Sequence, residues 1–262
     1  MSADLEACGQ RIEYAGAWTR TLETLRILHL AHVTHIPFEN LDILLGRPIL
    51  LDLESLWAKL IHGQRGGYCF EHNSLFAAVL ESIGFRVTRL AARVRAGATE
   101  ILPRTHMLLR VNVEGQNWLA DVGFGGDGLL YPVPIKHGEV ARHFGWQYRV
   151  MIDDGMQVLQ SLRPAGWSDL YSFTLEPQEP VDYEVSNYFT STHPRSPFVR
   201  RLVAQRPGAE SRWTLVNRLL TEQKPDSVTG TTLKDDDALL EVLAERFGLR
   251  FPAGTRFPYR ES

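Results

Sequence analysis

Cys69, His106 and Asp121 are the residue types that nucleophilic acyl chemistry needs: a thiol to attack, an imidazole to move its proton, and a carboxylate to orient that imidazole. Cys69 follows Arg65-Gly66-Gly67-Tyr68 and opens a run in which Phe76, Val79, Leu80 and Ile83 recur at helical spacing until Gly84 stops it. The thiol therefore stands at a helix N-terminus, where unpaired N–H groups and the positive dipole end favour thiolate over thiol.

The base must come from nine histidines. His72 lies one helical turn beyond Cys69, and its ring is expected to lie back along the surface rather than above the sulfur. His29, His32 and His35 fall near a helix end and read as surface residues. His106 differs, because it begins a strand that Glu114-Gly115 turns into a hairpin. With a two-residue turn there, Val113 faces Gln116 and Leu108 faces Asp121, which makes Asp121 the diagonal neighbour of His106 on one face. Such neighbours are about 7–8 Å apart at the backbone, within side-chain reach. A slip of one residue sends Asp121 to the opposite face, so the triad predicts the register. Singly, a strand histidine is an ordinary hydrogen-bonded residue and Asp121 a turn starter; with a helix-terminal cysteine they make a constellation.

The elements around these residues change character along the chain. Leu22, Leu25, Leu28 and their neighbours predict a helix from Thr19 that ends before Pro37. Asp52 caps a second, with Leu53, Leu56, Trp57, Leu60 and Ile61 in one stripe and Gly63 at its end. The Cys69 helix is the third. After Gly84 alternation takes over: Phe85 to Leu90, Thr105 to Val113, Gln116 to Gly123, Trp146 to Ile152, Met156 to Leu162 and Tyr171 to Thr174 read as strands of a small antiparallel barrel or sandwich. A strand over Trp213 to Val216 and a helix from Asp236, with Leu239, Leu240, Leu243 and Phe247 on one face, complete the chain.

Composition narrows the class. The 262 residues are 44% hydrophobic and 23% charged, ordinary for a globular protein with room for two or three layers. A net charge of −3 argues against a nucleic-acid binder. No run approaches a membrane span, the acidic start Met1 to Glu6 lacks a secretory core, and two cysteines form no disulfide framework, which together suggest a cytoplasmic setting. Cys8, in what reads as a polar leader, is expected to have no role.

Four motifs resemble those of the arylamine N-acetyltransferase family: Ile36-Pro37-Phe38-Glu39-Asn40, Arg65-Gly66-Gly67-Tyr68-Cys69-Phe70-Glu71, Thr105-His106, and Asp121-Val122-Gly123-Phe124-Gly125-Gly126. They occur in family order over residues 30 to 130, and the length also fits. The resemblance implies an α+β protein with a cysteine-protease-like core and three segments: a helical bundle (1–84), an antiparallel β-barrel (85–190) and an α/β lid (191–262). It implies a Cys69-His106-Asp121 triad, acetyl-coenzyme A as co-substrate with no tightly bound cofactor, and an arylamine or hydrazine acceptor. Gly123, Phe124, Gly125 and Gly126 would lie along coenzyme A, and Val94, Phe124 and Phe38 would line the acceptor pocket. Glu39 and Arg65 are expected to form a buried pair that anchors the loop before Cys69.

Two other readings fit the residues. The same three groups in this order suit a papain-like or transglutaminase-like enzyme acting on amide bonds. A metal-binding module using Cys69, His72 and His106 is the non-enzymatic reading, although the ligand spacing typical of structural zinc is missing.

Overall fold

Glu114 and Gly115 both have positive φ (52° and 77°), the backbone of a two-residue hairpin turn, and this fixes the central register of the computed structural model, which describes residues 4–259. The helices are α1 (Leu5–Arg11), α2 (Leu22–His35), α3 (Leu41–Leu44), α4 (Leu53–Leu56), α5 (Cys69–Ser82), α6 (Pro180–Thr192) and α7 (Asp236–Phe247). The strands are β1 (Phe38–Glu39), β2 (Arg86–Val94), β3 (His106–Val113), β4 (Gln116–Ala120), β5 (Val133–Pro134), β6 (Val140–His143), β7 (Trp146–Asp153), β8 (Met156–Arg163), β9 (Gly166–Phe173), β10 (Val203–Arg206), β11 (Arg212–Val216), β12 (Leu219–Gln223) and β13 (Val228–Thr232).

Eight strands form one antiparallel sheet in the order β5-β4-β3-β2-β9-β8-β7-β6. It curls toward closure: just beyond β5, His137 bridges Val150 of β7 in parallel, and the His137 ring accepts the Ile152 N–H at 3.0 Å. The architecture is α+β, with a nearly closed eight-stranded sheet and seven helices among the described residues. Helix α5 packs its apolar stripe on β2 and β3, so one core runs from the N-terminal helices through Phe76 and Leu80 into Leu90, Leu108 and Val111.

A second sheet, β1-β10-β11-β12-β13, carries α7 on one face over Leu202, Ala204 and Leu215. Its first strand comes from the motif preceding α3, through the pairs Phe38 with Gln205 and Glu39 with Ala204. The C-terminal sheet is thus tied by backbone bonds to the segment that also bridges Gly67, just before Cys69.

Several elements depart from the sequence expectations. Cys8 does not sit in a polar leader: capped by Asp4, α1 forms and buries Cys8 to 2% exposure, which pushes its thiol up to about 12. Met1 to Ala3 of that stretch lie outside the described residues. The Asp52-capped helix changes after Leu56 into a π turn over Trp57–His62, with Gly63 N–H bonded to the Ala58 carbonyl. Strand β9 starts at Gly166, well before Tyr171, and β4 ends at Ala120. Helix α6 lies outside the sequence expectations; its Val181, Val185 and Tyr188 are exposed, while Tyr183 and Thr190 are its buried residues.

Candidate active site

Helix α5 presents Cys69 at its first position. Tyr68 precedes it in extended backbone, and the Glu71 carboxylate accepts the Tyr68 N–H at 3.0 Å, fixing the helix start. Close approach explains the double glycine. A Cβ on Gly66 would lie 2.0 Å from the Pro37 carbonyl oxygen, and one on Gly67 would lie 2.7 Å from Glu71. Below the glycines, Arg65 donates to Glu39 Oε1 from Nε (3.0 Å) and Nη2 (2.5 Å) and to Asp42 from Nη1 (3.2 Å), so the expected buried pair is present. Lys59 adds ion pairs to Asp42 (2.9 Å) and Glu71 (2.7 Å).

The hairpin has the predicted register. Val113 pairs with Gln116 and Leu109 with Ala120, so Asp121 stands one step on, opposite Leu108 and on the His106 side. His106 Nε2 donates to Asp121 Oδ2 at 2.7 Å, with both side chains buried. That leaves Nδ1 of the ring for Cys69, with which His106 also interacts. The Cys69 thiol is 5% exposed and lies 3.6 Å from the Thr105 carbonyl. Burial would lower the His106 pKa, but the charge and hydrogen bond of Asp121, with Cys69 adding, outweigh it and hold the ring up to about 10. Burial likewise opposes ionisation of Asp121, yet His106, Asn73 and the Gly123 N–H keep it below the usual carboxylate range.

Three residues outside the expected set build this arrangement. Asn73, one turn along α5 from Cys69, donates to the Met107 carbonyl (2.8 Å) and Asp121 Oδ1 (3.0 Å) and accepts the Val122 N–H (3.1 Å). His29 of α2 accepts the Asp121 N–H at 3.1 Å. Tyr171 packs its ring 4.9 Å from His106, with its buried hydroxyl beside Asp121. Asn73 was within reach of sequence reasoning as a polar residue on the buried stripe; His29 and Tyr171 carry no local signal.

The other histidine expectations change. His29 and His32 are core residues, 0% and 2% exposed, because the segment after Asp121 folds over α2. His72 is fully buried, its Nε2 bonded to the Pro37 carbonyl (3.2 Å) and its Nδ1 to His32 (2.9 Å), so both ring nitrogens are taken. Among the described residues no group of three or more His, Cys, Asp or Glu is placed to hold a metal ion.

The glycine-rich loop packs largely on protein. Gly123 N–H donates to Asp121 Oδ1 (3.0 Å), and a Cβ on Gly123 would come within 2.7 Å of both Asn73 and the Cys69 Cα. Gly123→Ala should therefore push the Asp121 turn off α5, costing about 1–3 kcal/mol and slowing any reaction of Cys69. Thermal melts together with thiol reactivity check this, and an unchanged melting point and rate would refute it. Gly125 and Gly126 sit against Gln205 of β10, whose Oε1 accepts the Gly126 N–H at 3.0 Å. Phe124 stacks edge-on to His106 at 5.2 Å and tilts against Tyr171 at 5.2 Å. Phe38 stacks parallel to His72 and tilts against Phe198, while Val94 pairs with Tyr171 at the end of β2.

A family model described as N-acetyltransferase matches residues 21–255. The arylamine N-acetyltransferase of Mycobacterium tuberculosis is 40% identical over 255 residues, covering 95% of this chain and 90% of that protein. The solved structure of the Mycobacterium marinum arylamine N-acetyltransferase superposes with a TM-score of 0.91 at 39% identity, covering 94% of this chain and 92% of the other. The same M. marinum enzyme in complex with CoA superposes at 0.90, with 38% identity and the same shares of the two chains. The chain belongs to the arylamine N-acetyltransferase family.

Proposed function

We propose that this enzyme carries an acetyl group from acetyl-coenzyme A to the nitrogen of an arylamine or arylhydrazine, through an acetyl-cysteine on Cys69. The observation that carries the mechanism is the line Cys69, His106, Asp121, with a 2.7 Å bond between the last two and the imidazole against the thiol. Within that reading the core works as a cysteine-protease-like catalytic unit in a cytoplasmic enzyme. The helical bundle (residues 1–84) and the barrel (residues 85–190) build that unit, and residues 191–262 form its lid. No helix among the described residues is long and apolar enough to cross a membrane.

The steps follow from the charges. Cys69 Sγ, as thiolate beside protonated His106, attacks the thioester carbonyl; the tetrahedral intermediate expels the coenzyme A thiolate, which takes the His106 proton. Neutral His106 then accepts a proton from the amine as its nitrogen attacks the acetyl-cysteine, and the Cys69 thiolate leaves, restoring the ion pair. Asp121 keeps the ring in the tautomer that faces sulfur. The backbone N–H of Cys69, first in α5, is the donor best placed for the oxyanion. Gly123, Phe124, Gly125 and Gly126 run along coenzyme A, and Phe124, Val94 and Phe38 line the acceptor pocket. With its N–H held by Gln205, Gly126 contributes shape rather than a hydrogen bond.

Rapid mixing with acetyl-coenzyme A and no acceptor tests this. One equivalent of free coenzyme A should appear in a burst as the intact protein gains a single acetyl, with neither seen in Cys69→Ala. Equal labelling of both proteins would remove Cys69 from the mechanism, and a peptidase or amidase would give no burst.

A further inference from the structure

We infer that His29 is a positioning residue for the triad: its neutral imidazole staples together the two ends of the Asp121–Leu130 segment and thereby sets where the Asp121 carboxylate points. The inference rests on the triad reading above. Strand β4 ends at Ala120, so the Asp121 N–H has left the ladder when it reaches His29 Nε2 at 3.1 Å. The other ring nitrogen, Nδ1, bonds the Leu130 carbonyl at 3.1 Å. A carbonyl can only accept, so Nδ1 carries the proton and Nε2 offers its lone pair. One tautomer of one ring thus closes the loop that holds Asp121 and the glycine run.

The ring is itself well held. It is 0% exposed, stacks edge-on to Phe76 of α5 at 5.8 Å, and sits on α2 outside the hairpin. Its titratable neighbours are Asp121, His32 and His143; those facing His106 are Cys69, Asp121 and Tyr171. Burial depresses His29 to about 4, so it remains a lone-pair acceptor across neutral pH. Asn73 grips the carboxylate Oδ1 from the α5 side while His29 grips the backbone N–H of the same residue from α2. Between them, the direction of Oδ2 toward His106 is set from two helices.

The side chains that replace histidine can separate the two bonds. Glutamine places an amide oxygen near the Nε2 position and can accept the Asp121 N–H. Asparagine reaches only the Nδ1 position, satisfying Leu130 and releasing Asp121. Single-turnover acetylation of Cys69, and its alkylation by iodoacetamide as a function of pH, should be compared in wild type, His29→Gln, His29→Asn and Asp121→Asn. His29→Asn should acetylate about 10- to 100-fold more slowly, with the acid limb of alkylation moved to higher pH, because a displaced carboxylate stabilises the imidazolium less. His29→Gln should restore most of the rate and the limb. A purely packing role would make the two variants alike.

Wild-type rate and limb in His29→Asn, with a moved limb in Asp121→Asn, would overturn the His29 assignment alone. An unmoved limb in Asp121→Asn as well would overturn the triad reading beneath it. The wild-type protein gives a check that needs no variant: ring ¹⁵N–¹H correlations between about pH 5 and 8 should show His29 protonated only at Nδ1. A proton on Nε2 refutes the inference.

Discussion

Asp121→Asn should slow acetylation of Cys69 by about 10⁴-fold, the scale on which a triad fails when its base is held in the wrong tautomer. The hydrogen bonds fix the direction of the effect. Asp121 Oδ1 already accepts from Asn73 Nδ2 and the Gly123 N–H, each at 3.0 Å, so an asparagine would turn its amide oxygen to those donors. Its NH₂ would then face His106 Nε2, which now donates to Oδ2 at 2.7 Å. The ring would have to accept there and carry its proton on Nδ1, facing sulfur with no lone pair to offer. Single-turnover mixing with acetyl-coenzyme A measures the loss, and a rate within tenfold of wild type would contradict this geometry.

The same variant should change the dependence of stability on pH. His106 is raised in the fold to about 10, from about 6.5 unfolded. Its contribution is therefore fully present below the unfolded value and is lost as pH rises through about 10. Asp121, held below its usual range, contributes above its unfolded value and loses that contribution as pH falls through the folded one. These are two views of one interaction. Urea unfolding of wild type should weaken from neutral pH toward 10 more steeply than that of Asp121→Asn; parallel curves would mean that the pair is not ionised.

Arg65→Ala should cost about 3–5 kcal/mol of stability by leaving a buried carboxylate without its partner. The Glu39 side chain is 0% exposed, and Arg65 holds its Oε1 with two donors while reaching Asp42 with a third. Glu39 in turn accepts the Leu41 N–H at 2.6 Å, so the pair joins the β1-α3 segment to the glycines before Cys69. Lysine should rescue it only in part, because an ammonium cannot reproduce the planar fork that gives Glu39 Oε1 two donors while a third reaches Asp42. Yield and urea midpoint should fall far more than the acetylation rate of the enzyme that folds. A stable but inactive Arg65→Ala protein would instead place Arg65 in the chemistry.

Much of the site was legible because its determinants are local. Gly66-Gly67 and the stripe from Phe76 to Ile83 place Cys69 at a helix start, and no distant residue is needed to see it. The Glu114-Gly115 turn sets the hairpin register within a few residues, and register alone decides that Asp121 shares a face with His106. The Arg65–Glu39 pair was foreseen from the motifs around it. Helix α6, the π turn and the buried Cys8 were not, because each depends on what the rest of the chain covers.

By itself, then, the sequence determined the cysteine at a helix start, the hairpin that brings His106 and Asp121 to one face, and the glycine loop that follows them. Propensity, capping and turn geometry act over a few residues, and the chain carries all three in those segments. Only the tertiary structure decided that β2 pairs with β9 and the sheet curls nearly shut, that Phe38 and Glu39 join a sheet with residues 203–206, and that His29, Asn73 and Tyr171 surround Asp121. Those outcomes turn on desolvation and on partners far away in sequence, which leave no local pattern. A histidine on α2 reads as a surface residue until the loop that buries it is in place.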